Sequence, residues 1–140
     1  MTEKDLEALF IKYLEGLGYK IIHPNSLSDI KENIRQKLSI INKNRLNGRE
    51  LLAIEVDEIL KSMNNDANEN DSYSFSLNRR IHAGFRVPDL LSCDGSTIGI
   101  KLISDSPSQN FWEVASQVTD YQRDGYNNRY DVVIFLNGFP

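Results

Sequence analysis

Cysteine is nearly absent from this sequence: 140 residues contain one, Cys93. An internal disulfide and a multi-cysteine zinc site are thereby excluded, and the usage fits a reducing compartment. A thiol nucleophile needs an activating partner. His23 and His82 stand in unremarkable contexts, so Cys93 reads more simply as a small, half-buried residue. Excess positive charge is lacking as well. Sixteen Lys and Arg against 20 Asp and Glu leave a net charge of −4, whereas a domain that lives on the phosphate backbone usually carries a basic face. Any contact with nucleic acid must then be local, or shared with other parts. No run approaches the roughly 20 apolar residues of a membrane span. The opening Met1-Thr2-Glu3-Lys4-Asp5 is mixed in charge with no apolar stretch behind it, which excludes a secretory signal. No membrane partner is expected, and a cytoplasmic location is the simplest inference. Hydrophobic residues at 40% and charged residues at 26% are ordinary for a globular chain of one domain, or part of one.

The first half is patterned for helices. Leu6, Phe10, Tyr13, Leu14 and Leu17 follow one helical stripe, acidic residues crowd its first turns, and Gly18 is a natural stop. Tyr19 to His23 reads as a short strand closed by Pro24-Asn25. A second helix is expected from Ser28 or Asp29 to Asn42, burying Ile30, Ile34, Leu38 and Ile41. Asn47, before Gly48, is the expected N-cap of a third, with Leu52, Val56, Ile59, Leu60 and Met63 inward. Residues 1–63 are thus helical, 64–72 form a polar Asn/Asp-rich loop, and 73–140 are mainly strands.

The strand candidates are Phe85–Val87, Thr97–Ile103, Trp112–Thr119 and Tyr130–Leu136. Val132 to Leu136 is a continuous apolar run, the mark of a strand buried on both faces, and Asn137-Gly138 after it is a hairpin signal. Only Phe139 and Pro140 follow, so the expectation is a central hairpin with one arm missing and an open, aggregation-prone strand edge. The fold class expected is α/β, helices packed on a mixed β-sheet.

Asp131 starts the apolar run, and a carboxylate there needs a cation, backbone donors or a metal. Two readings of it stand on the residues alone: a side chain hydrogen-bonded at a strand edge, and an oxygen ligand for Mg²⁺. The stretch Asn128-Arg129-Tyr130-Asp131-Val132-Val133-Ile134-Phe135-Leu136-Asn137-Gly138-Phe139-Pro140 resembles the nuclease domain of type I restriction enzyme R subunits (HsdR). In that family an Arg-Tyr-Asp or Arg-Pro-Asp segment leads through an apolar strand to an Asn-Gly-Leu-Pro turn, with a catalytic Glu-x-Lys on the next strand. Phe139 stands where Leu is usual. Thr2 to Glu7, then Leu14, Leu17, Gly18 and Tyr19, look like the family's opening helix and its exit, and 85–119 resembles its middle more loosely.

The resemblance implies a PD-(D/E)xK fold, incomplete here, with Mg²⁺-dependent cleavage of double-stranded DNA. It also implies a downstream ATP-driven translocase motor and methylase and specificity subunits as partners. Asp131 takes the place of the metal-binding, catalytic aspartate. Glu7 occupies the helix position where related nucleases often carry a supporting glutamate, and a solvated helix residue is its plainer reading. Arg129 is a candidate phosphate contact, or simply solvated. With no Glu-x-Lys after Asp131 and no Walker motif, the chain by itself is expected neither to cleave DNA nor to bind ATP. Pro88-Asp89 with Ile98-Gly99-Ile100-Lys101 imitates the nuclease pattern, but Gly99 stands where an acid is required. Phe111, Trp112 and Tyr121 could stack on bases, though core packing is the commoner role. Two alternatives remain: a stand-alone nuclease of the same fold, resolvase or repair type, and a non-catalytic domain that docks on other subunits.

Overall fold

The structure is a computed structural model, described here over residues 1–64, 90–91, 97–120 and 128–140. The expected strand at 85–87, the 65–72 loop, Cys93, His82, Pro88, Asp89 and Tyr121 lie outside the described residues.

Helix α1 (Glu3–Gly16) starts at a reciprocal cap. The Asp5 N–H donates to Thr2 Oγ1 at 3.2 Å, and the Thr2 N–H donates to Asp5 Oδ2 at 2.9 Å, so two otherwise unpaired donors are satisfied. It ends as expected at Gly18, whose φ of 101° is left-handed. There the Tyr19 N–H reaches the Leu14 carbonyl and the Gly18 N–H the Glu15 carbonyl, the pairing that closes a helix on a glycine. Strand β1 (Lys20–Ile21) follows and pairs parallel with β4 (Trp112–Asp120). Helix α2 (Leu27–Ile41) is capped by Ser26, whose hydroxyl accepts from the Asp29 N–H. It buries Ile30, Ile34 and Leu38. Helix α3 (Ala53–Asn64) packs against it.

Asn47 does not cap α3. It takes a φ of 54° beside Gly48 at 84° in the turn after α2, and the Gly48 N–H bonds back to Lys43. The start of α3 is held instead by Glu55, whose carboxylate accepts from the Leu52 N–H at 2.9 Å and from both terminal nitrogens of Arg49.

Strand β5 (Asn128–Leu136) pairs antiparallel with β4, giving a mixed sheet in the order β1-β4-β5. Two short strands, β2 (Leu90–Leu91) and β3 (Thr97–Ile98), form a separate antiparallel pair. The strand expected over Thr97–Ile103 therefore ends at Ile98. Beyond it the Asn42 amide imitates a strand partner, donating to the Lys101 carbonyl at 2.9 Å and accepting from its N–H at 2.8 Å.

The core lies between α2, α3 and one face of the sheet. Ile34, Leu38, Ile59 and Phe135 are fully enclosed in it, and each such side chain contributes about 1.5–3 kcal/mol relative to exposure. Helix α1 lies across the opposite face of the sheet. Its inward residues are Glu7, Ile11 and Leu14, while Leu6, Phe10, Tyr13 and Leu17 are exposed. The expected stripe is therefore rotated, and only Leu14 belongs to both. β5 is also not buried on both faces: among the described residues β4 is its one neighbouring strand, and Ile134 is 40% exposed on the α1 side.

Asn137-Gly138 does form the expected tight turn. Both residues have positive φ, and Leu136 and Phe139 exchange backbone hydrogen bonds across it.

Candidate active site

Asp131 lies on β5 directly across from Gln117 on β4. Regular pairing runs through Ser116–Val132 and Val118–Tyr130 but skips the Gln117–Asp131 pair between them. The cause is Gln117, whose φ of 55° is left-handed within a strand, a conformation that costs a non-glycine residue roughly 1–2 kcal/mol. Strand side chains normally alternate between faces. Here Ala115 and Val118, three positions apart, both enter the same core, so the backbone reversal at Gln117 resets the alternation.

The Gln117 side chain joins the two acids singled out in the sequence. Its Nε2 donates to Glu7 Oε1 at 3.2 Å and Oε2 at 3.1 Å, and to Asp131 Oδ1 at 3.3 Å. The rotation of α1 is what brings Glu7 here, since Glu7, Ile11 and Leu14 share the face turned to the sheet. Asp131 is exposed rather than enclosed by the apolar run behind it.

Two hollows lie beside these residues, and Gln117 itself lines the second. One, of about 300 Å³, is lined by Glu7, Lys4, Lys12, His23, Ile21 and Ser116. The other places Arg129 beside Gln117 and Ser26. Glu7 thus shares the first hollow with Lys4, Lys12, His23 and a second acid, Glu15, and Arg129 lies on the other. His23, unremarkable in the sequence, borders the site.

The chemistry of the donors suits a hard cation. Mg²⁺ takes oxygen ligands, commonly one or two carboxylates with water completing the shell, and two carboxylates converge here. Among the described residues no group of three His, Cys, Asp or Glu side chains is close enough to hold a metal.

The remaining sequence candidates lie elsewhere. Lys101 pairs with Asp105, and Gly99 is exposed. Phe111 is half-buried beneath the Lys37 ammonium, 5.3 Å from the ring centre. Trp112 is exposed against Tyr19, with ring centres 5.9 Å apart, so it is not a core residue. Sequence reasoning missed Gln117. The only available signal was a polar pair, Ser116-Gln117, interrupting an apolar strand.

These features define an α/β domain in which a helix and a pair of strands bring two carboxylates to one amide, with basic side chains nearby. The model of the type I restriction enzyme R protein N terminus family matches residues 1–140, and the chain belongs to that family. No curated protein matches it.

Proposed function

We propose that the chain is the N-terminal part of a PD-(D/E)xK nuclease domain in a type I restriction enzyme R subunit, with Asp131 and Glu7 as metal ligands. The observation that carries this reading is the convergence of Glu7, near the start of the chain, and Asp131, near its end, on one amide group. Mg²⁺ bound there lowers the pKa of a coordinated water and offsets charge developing on a phosphate.

The chain's own residues do the rest. Strand pairing on both sides of Asp131 holds one carboxylate, and the capped helix α1 holds the other. Lys4, Lys12 and Arg129 offer cations to the phosphate backbone, which positions a duplex without reading its sequence. These local cations are compatible with DNA contact despite a net charge of −4.

No Glu-x-Lys follows Asp131 in the 140 residues. By resemblance to the family, the second acid and the lysine belong to a strand following that of Asp131, and cleavage is proposed to need them. In the parent, an ATP-driven motor and the methylase and specificity subunits complete the cleavage of foreign double-stranded DNA.

The test is Asp131→Asn in the intact R subunit. DNA cleavage falls at least ~100-fold, as expected for loss of a metal ligand, while ATP hydrolysis and subunit assembly persist. Unchanged cleavage would overturn the reading. Unchanged cleavage with assembly intact would favour a docking domain instead.

A further inference from the structure

Two carboxylates are a thin protein shell for a divalent cation, and no third acid, imidazole or thiolate joins them among the described residues. The group that reaches both is the amide of Gln117, whose nitrogen lies 3.1–3.3 Å from three of their oxygens. Facing carboxylates repel one another, and in the cation-free site this N–H donor offsets that repulsion. A carboxamide carries a second capability at the same point: a half-turn about its terminal bond exchanges NH₂ for a carbonyl oxygen, and amide oxygens are accepted ligands of hard cations.

We propose that Gln117 serves the site in two states, donating N–H to Glu7 and Asp131 when the cation is absent and turning its carbonyl oxygen inward as a third oxygen ligand when a divalent cation binds. This rests on the reading of Glu7 and Asp131 as metal ligands. The left-handed backbone of Gln117 supports it. Glycine would adopt that φ without strain, so the conformation is held at a cost by a residue whose side chain is engaged. Strain of this kind concentrates where a side chain must be aimed. Glu15, Asn25, Ser26 and Ser116 also line the two hollows, but the Gln117 amide is the group hydrogen-bonded to both acids.

Mn²⁺ is the probe, its free fraction measured by electron paramagnetic resonance on the intact R subunit, which supplies the second acid assigned above. Gln117→Gly keeps the left-handed backbone at ease and removes the amide. It folds, as circular dichroism checks, and binds Mn²⁺ about tenfold more weakly. Gln117→Glu puts a third carboxylate in the same place and binds more tightly than wild type. A Gln117→Gly chain that binds Mn²⁺ as well as wild type, or better, overturns the proposal, because the amide would then be only a placeholder. Asp131→Asn separates the two levels. If it abolishes binding while Gln117→Gly does not, only the role of Gln117 fails. If wild type binds no Mn²⁺, or Asp131→Asn binds it unchanged, the metal-site reading fails as well.

Discussion

Asn137 and Gly138 occupy adjacent left-handed positions, and each is required for more than its φ. The Asn137 side chain is fully buried. Its Oδ1 accepts from the Phe111 N–H at 2.8 Å, and its Nδ2 donates to the Leu102 carbonyl and to Asn110 Oδ1, both at 2.9 Å. Every polar atom of the amide is thus used, which makes the burial tolerable. Gly138 faces α2, where an added Cβ would lie 2.7 Å from the Ile34 Cα. That atom is backbone and cannot step aside. Gly138→Ala should therefore cost about 2–4 kcal/mol, from the strained φ and the overlap together. A urea titration would register this as a lower midpoint at unchanged slope. A loss below ~1 kcal/mol would mean that the turn does not press on α2.

At the scale of elements, α3 depends on one carboxylate. Hydrogen bonds from Arg49, then the Leu52 backbone N–H, hold Glu55 below its ordinary carboxylate range against the opposing effect of burial. A depressed folded value means stability that is present above the unfolded pKa, about 4.3. It is lost as pH falls through the lower folded value. Glu55→Gln should destabilise the chain by about 1–2 kcal/mol at pH 7. The difference from wild type should shrink as the pH is lowered below about 4, in thermal melts run across that range. A constant difference would show that the charge is not what matters.

The helices and the Asn137-Gly138 turn after β5 were legible in the sequence because apolar spacing and the Asn-Gly dipeptide are local signals, whereas the pairing of β4 with β5 is a long-range feature that was not foreseen. Nor was the rotation of α1. That helix carries two overlapping stripes sharing Leu14, and the one turned to the sheet includes a carboxylate, which hydrophobic periodicity counts as outward. Glu7 was placed in the site only by family resemblance. Gln117 escaped because a positive φ in mid-strand has no marker in residue type; glycine or asparagine would have given it away.

For the whole molecule, the turned helix leaves Leu6, Leu9, Phe10, Tyr13 and Leu17 exposed. On the sheet, Trp112, Tyr130 and Ile134 are exposed too. Apolar patches of this kind favour association, and among the described residues the outer edge of β5 pairs with no further strand. The chain should self-associate with rising concentration in sedimentation velocity. Leu6→Ser combined with Phe10→Ser should reduce this while altering stability by less than ~1 kcal/mol, since both side chains are largely in solvent. A wild-type chain that stays monomeric at high concentration would contradict this.

The backbone reversal at Gln117 also bears on how the hairpin finds its alignment. A uniform strand can slide by two residues against its neighbour and still present the same side chains inward. β4 cannot, because its inward set changes phase at one residue. A shifted pairing would satisfy one half of the strand and expose the other. Gln117 therefore works as an indexing notch, and the carboxylate across from it has a single permitted address.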